Sequence, residues 1–425
     1  MTHHTPISHL RYLLNALLAV SLLTTAARAQ RHEVLSTEVA SLEVVAGDDW
    51  TALPLLSLDG DEVLHVDFDV LSHQYRRLCY RIEHCDADWT PSTGLFESDY
   101  CRGFASGSTI DDTEESLNTN QLYTHYALQV PNDKCRLTMS GNYRLTVYDD
   151  NDADARPLLT VCFMVGEEQM SVGLDITANT DRGLYTHYQQ VAMRVDYGQM
   201  RVTDPQTQVQ TVVMQNGRWD TAVRGAQPQI VGPHGLAWSH CRALIFEAGN
   251  EYRKFETLDV THTTMGLESV GWDGQCYHAY VWPDEPRPNY VYDEDADGAF
   301  LIRNSDNTDI AFTCEYVLVH FTLLSPHLPA DIYIDGAWTL GLRTPRYQMQ
   351  WNDTTQRYEA ALWLKQGYYN YQYLAMTPDG QTMPVPSEGS YYQTENRYQA
   401  LVYYRAPGDR TDRLVGYTTA TYNVE

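Results

Sequence analysis

The stretch YRIEHCDADW (residues 80–89) crowds a glutamate, a histidine, a cysteine and two aspartates into one short run. Side chains of these types can ligate a metal or move protons, provided that they converge. In an extended strand, neighbouring side chains point to opposite faces. Tyr80, Ile82 and His84 then share one face, and Arg81, Glu83 and Cys85 the other, so His84 and Cys85 cannot hold one ion together. Asp86 and Asp88 fall where the strand must turn, which suits short acids, and Trp89 folds back over the sheet end. The spacing predicts a structural strand end, not a reactive centre.

A second acidic run, DEDADG at 293–298, matches the first half of a calcium loop, in which alternate carboxylates line one cation. The bidentate acid such a loop needs six residues after the glycine is Asn304 here, and the flanks read as strands. A tight β-hairpin is expected, with no ion at Asp293, Asp295 and Asp297. DDNDAD at 149–154 reads as a solvated loop. G-x-S-x-G, H-E-x-x-H and P-loop patterns do not occur. His125, His187 and His262 lie in strand-like text and read as partly buried polar residues. The sequence names no catalytic, cofactor-binding or metal-binding residue, and no enzyme is expected.

The eight cysteines are Cys79, Cys85, Cys101, Cys135, Cys162, Cys241, Cys276 and Cys314. They contain no C-x-x-C, so their spacing carries no zinc signal. Cys85 and Cys101 flank one loop and form the favoured disulfide pair. An oxidising compartment is implied by the start of the chain. Residues 13–25 form an apolar run too short to span a bilayer, and Ala27-Arg28-Ala29 reads as a cleavage site, making 1–29 a signal peptide. No later run is long enough for a membrane-spanning helix. The formal charge of -27 argues against nucleic acid or an anionic lipid surface as partner.

The elements that must position these residues are strands. There are 31 Tyr and 9 Trp, and the periodic segments alternate at period two. VLHVDFDV (63–70) places Leu64, Val66, Phe68 and Val70 on one face. Turn residues punctuate the strands, as in Ser140-Gly141-Asn142 and Asp297-Gly298. The expected fold is all-β: tandem antiparallel sandwiches of immunoglobulin-like or early-set type, at 30–166, 167–313 and 314–425.

YRIEHCDADWTPSTGLFESDYCRGF (80–104), SLNTNQLYTHYALQVPN (116–132) and SGNYRLTVY (140–148) resemble the N-terminal domain of the type IX secretion system plug protein family of Bacteroidota. LIFEAGNEYRKFETLDV (244–260), LVHFTLLSPHLPADIYIDGAW (318–338) and YQTENRYQALVYYRAPGDRTDRLVGY (392–417) extend the resemblance along the chain. It implies a periplasmic protein at the outer membrane. Its partner would be the translocon barrel of that system, whose periplasmic mouth it would plug when no cargo carrier is bound.

The last third also resembles a glycogen-binding module, which implies glycan as an alternative ligand. Trp338 takes that family's buried aromatic position, Lys365-Gln366-Gly367 keeps its turn, and Tyr371 and Tyr373 keep its core strand. Its sugar-stacking tryptophan falls at Gly341, so the fold is retained while a stacking residue is lost.

Overall fold

The computed structural model describes residues 31–378 and 380–423; the expected signal peptide lies outside them. The described chain is all-β, in three sandwiches: two of paired layers, and a third whose ten strands run as one continuous sheet around its core.

The alternation that starts at Leu64 sets the first. Strand Leu64–Val70 lies between Val39–Ala46 and Thr124–Val130, with Asp112–Glu115 at the edge. Leu64, Val66 and Phe68 are fully buried against the opposite layer, where Leu78–Cys85, Gly141–Asp149 and Pro157–Gly166 pair in antiparallel register. One core joins both layers, with Phe68, Tyr126, Ile82, Tyr143 and Phe163 among its members.

The second sandwich is where the expected boundaries depart from the structure. One layer holds Ser171–Thr177, Tyr188–Asp196 and Gly235–Trp238. The other holds Val209–Gln215 and the last two strands of the chain, Asn396–Tyr404 and Arg413–Tyr422. Val191, Met193 and Trp238 of the first layer share a core with Tyr398, Ala400 and Val402 of the second. The third sandwich lies between these parts in sequence. Leu267–Trp272 and Tyr277–Val281, expected in the middle domain, instead line up with Tyr316–Leu323 and Arg357–Lys365. A cut at 313 therefore runs through one sheet, and residues 396–422 return to a layer begun some 180 residues earlier. The neighbour in space is not the neighbour in sequence, and period-two alternation cannot report which strand a strand will pair with.

Two pairs also run parallel rather than antiparallel: Pro157–Gly166 with Leu55–Ser57, and Tyr277–Val281 with Tyr316–Leu323.

First and second sandwiches stack face to face. Cys162 and Met164, on the outer face of the first, meet Val212, Met214, Leu401, Tyr403 and Leu414 of the second, with Ala87 and Trp89 between them. Strands Pro157–Gly166 and Asn396–Tyr404 are thus covered on both faces. This explains why LLTVCFMV and ALVYY read as nearly continuous apolar runs.

Candidate functional site

YRIEHCDADW is a strand end bolted into this stack. Tyr80, Ile82 and His84 face the first core, as alternation required. The His84 ring is buried, with Nδ1 at 2.9 Å from the Ser92 hydroxyl and Nε2 at 3.1 Å from the Ser140 carbonyl. Burial pushes its pKa down. Gly141 belongs here because a Cβ would strike that ring. After the turn, Asp86 accepts hydrogen bonds from Ser92 and Thr411 and an ion pair from Arg405, while Ala87 donates its N–H to Asp412. Trp89, at a left-handed φ of 68°, packs edge-on to Trp219. Asp86 and the Ala87 N–H are thus taken by the seam between the sandwiches, while the buried Trp89 Nε1–H has no hydrogen-bond partner.

The favoured cysteine pair is not brought together. Cys101 belongs to the first core, whereas Cys85 points through the other face of its sheet towards Arg144 and Cys162. The sheet stands between them. The structure instead sets Cys101 Sγ 3.1 Å from Cys135 Sγ, because Cys101–Gly103 pairs with Cys135–Leu137. Loop proximity in sequence suggested Cys85; the face on which Cys101 lies is set by its strand's pairing with Cys135–Leu137.

DEDADG is a turn without the expected hairpin. Residues 291–296 form no strand, and the chain pairs again only at Phe300–Ile302, with Gly367–Met376. The acids diverge to separate partners: Asp293 to Lys254, Asp295 to the backbone N–H of Tyr252, and Asp297 to Arg397. Burial raises Asp295 to about 8 and Asp297 to about 6.

A second cluster of titratable groups is also a seam. Lys365, expected as part of a turn, carries its ammonium to Asp69 of the first sandwich at 2.7 Å, with both side chains sealed from water. The Tyr316 hydroxyl donates to the same carboxylate at 2.7 Å, and His125 Nδ1 lies 2.8 Å from its other oxygen. Burial alone would lower the His125 pKa, but Asp67 and Asp69 outweigh it and hold it at about 9.

What stays open is the outer face of the third sandwich. Because Val317, Val319 and Phe321 face the core, alternation turns Leu318 and His320 outward, and register aligns them with Trp363 and Ala361 on one side and His278 and Tyr280 on the other. Trp282 continues the row. Tyr280, Trp282 and Trp363 are 42%, 57% and 41% exposed, far more than aromatic residues with a core to fill. Beside Trp363, a recess of about 310 Å³ opens towards Thr37, Leu71 and Gln121 of the first sandwich. Trp338, by contrast, is buried among Phe321, Tyr347 and Tyr369, with its Nε1–H donated to the Asn370 carbonyl. Gly341 is bare of neighbours.

At the rim of this face, Asp273, Cys276 and His278 bring three potential ligand atoms within 4.8 Å of one another; no other such group of three occurs among the described residues. In sequence the group is spaced D-x-x-C-x-H across a hairpin turn. No helix among the described residues is long and apolar enough to cross a membrane.

The family described as "Type 9 secretion system plug protein 1st domain" matches residues 39–167, nearly the whole first sandwich. A crystal structure of a hypothetical protein from Parabacteroides merdae ATCC 43184 is 36% identical and superposes with a TM-score of 0.89, covering 92% of this chain and 99% of that one. A mutant alpha-2-macroglobulin from Salmonella aligns at 10% identity over 92% of this chain and 33% of its own, but its TM-score of 0.19 carries no argument. No curated protein matches.

Proposed function

The chain belongs to the type IX secretion system plug protein family and so to the type IX secretion machinery, and from that premise we propose that it is a non-enzymatic periplasmic component. It docks on the outer-membrane translocon barrel and closes its periplasmic opening when no cargo carrier is bound. The observation that carries this reading is the flat aromatic face of Tyr280, Trp282 and Trp363. Such rings offer large contact area at low entropic cost, and they dominate binding energy at protein interfaces. They stand on or just beyond paired strands of a sandwich that is tied to the first by the buried Lys365–Asp69 ion pair, so little order has to be gained on docking. A specific seal needs at least about 1,000 Å² of buried surface in total, and this face with its flanking recess supplies part of it.

The test is capture by the tagged barrel from cells with and without the cargo carrier. The chain should be recovered only from barrels lacking the carrier. W282A/W363A should weaken capture by at least about tenfold, since aromatic anchors at an interface centre cost about 2 kcal/mol or more on truncation. Its folding should be unchanged, because both rings are largely exposed. A barrel that never recovers the wild-type chain, in an outer membrane that stays sealed when both plug and carrier are deleted, would sink the reading.

A further inference from the structure

The hairpin at the rim of the aromatic face has the parts of a metal site. Strands Leu267–Trp272 and Tyr277–Val281 are joined by Asp273-Gly274-Gln275-Cys276. Gly274, at a φ of 103°, permits the tight bend. Asp273 Oδ1 accepts the backbone N–H groups of Gln275 and Cys276 at 2.7 and 2.9 Å, which fixes the turn. That leaves Oδ2 directed at His278, 3.0 Å from its Nε2. Cys276 Sγ lies 3.4 Å from the same nitrogen. A carboxylate, a thiol and an imidazole, three donors of different chemistry, thus meet at one point.

Two of their separations lie close to the edges of a zinc tetrahedron, and all three atoms lie within 4.8 Å of one another. Zinc bonds of about 2.3 Å to sulfur and about 2.0–2.1 Å to nitrogen or oxygen, at tetrahedral angles, put sulfur about 3.5 Å from nitrogen and nitrogen about 3.3 Å from oxygen. The observed edges, 3.4 and 3.0 Å, reach those values with a small outward movement of two side chains on a fixed turn. The other nitrogen of His278 is already held: its Nδ1 lies 2.8 Å from Nε2 of His320. An Nδ1–H donated to His320 leaves Nε2 as the lone-pair atom facing Asp273 and Cys276. Ligand histidines are usually oriented by such a partner. Tyr280 stacks on His320 at 4.3 Å and fixes that ring in turn.

We propose that Asp273, Cys276 and His278 bind one Zn²⁺ ion, with His320 as the positioning residue. The fourth coordination position faces solvent beside the aromatic patch. A mixed thiolate, imidazole and carboxylate set suits borderline-soft Zn²⁺ better than calcium or magnesium, which take oxygen ligands. The site stands apart from the docking reading: its three ligands lie on the hairpin and His320 on the adjoining strand.

The experiment uses the full mature chain, purified under reducing conditions, freed of metal and dialysed against Zn²⁺ or Co²⁺. The expected result is one equivalent of Zn²⁺ per chain and, with Co²⁺, the near-ultraviolet charge-transfer absorption of a thiolate ligand. C276S should abolish that absorption, and H278A should abolish stoichiometric binding. H320F should weaken binding about 10–100-fold while keeping the absorption, a pattern that a merely structural role would not give. Melting curves without metal check that each variant folds. No bound equivalent in the wild-type chain, or an equivalent retained in both C276S and H278A, would overturn the proposal.

Discussion

Lys365 shows how much one residue can decide. Its ammonium and the Asp69 carboxylate are 2% and 1% exposed, 2.7 Å apart, and come from different sandwiches. Taking two charges out of water is costly, and their attraction barely repays it, so the pair adds little stability over an apolar pair of equal size. Removing one partner is another matter, because the other charge is then buried alone. K365M should cost about 3–5 kcal/mol, read as the shift in denaturation midpoint. D69N/K365M should recover much of that loss, unless His125 and Tyr316, which also bond Asp69, give way. A K365M protein as stable as wild type would mean that water reaches the seam.

At the scale of elements, two strand pairings carry predictions. Cys101–Gly103 against Cys135–Leu137 sets two thiols side by side in the first core. With the proposed periplasmic location, an oxidising thiol–disulfide catalyst should join them. Thiol counting on denatured, unreduced protein should then find two fewer than the eight in the sequence. C101S should lower stability by about 3–4 kcal/mol, the loop-closure entropy for a ring of this size. A full complement of thiols, or a bridge that leaves Cys101 and Cys135 free, would contradict this. The second pairing is the terminal hairpin. Asn396–Tyr404 and Arg413–Tyr422 give Tyr398, Val402 and Val415 to one core and Leu401, Tyr403 and Leu414 to the seam with the first sandwich. A chain ending at residue 392 should therefore unfold its second sandwich. Limited proteolysis should cut it between residues 171 and 247, where the full chain resists. Equal resistance in both would show that this layer stands without its last strands.

Over the whole molecule, buried titratable groups set the response to pH. Burial raises Glu43 to about 7, Asp295 to about 8 and Asp297 to about 6, and two carboxylates hold His125 at about 9 against the effect of burial. All four folded values lie above the unfolded ones. Each contribution is complete below the unfolded pKa and is lost as pH rises through the folded one. For the carboxyls that window runs from about pH 4 to 8, and for His125 from about 6.5 to 9. Asp220 acts in the opposite direction. Burial would raise it, but Arg218 and Arg343 hold it at about 2, so its contribution is present above about pH 4 and lost in acid. Thermal stability should peak near about pH 5 and fall steadily to pH 9. Calorimetry at constant ionic strength checks this. E43Q should flatten the part of the fall centred near neutrality, and a melting temperature that rises from pH 5 to 9 would contradict the assignment.

The sequence by itself determined the local state of the chain. Leu64, Val66 and Phe68 had to share a face, and Tyr80, Ile82 and His84 had to oppose Cys85; both follow from a two-residue period and from apolar burial. The resemblance of its motifs also placed the chain in its family, which the match over 39–167 bears out. Only the tertiary structure decided which strands meet. Pairing is written in no single segment, so the return of Asn396–Tyr404 to Val209–Gln215, the crossing of the expected boundary at 313 and the meeting of Cys101 with Cys135 were invisible to a reading by windows. The same holds for exposure. Trp282, Trp363 and Trp338 are one residue type in similar strand text, but the first two face water and the third fills a core. Which face of a strand stays open depends on what the rest of the chain stacks against it. So the candidate surface and the grouping of Asp273, Cys276 and His278 with His320 across neighbouring strands came into view only once the sheets were assembled.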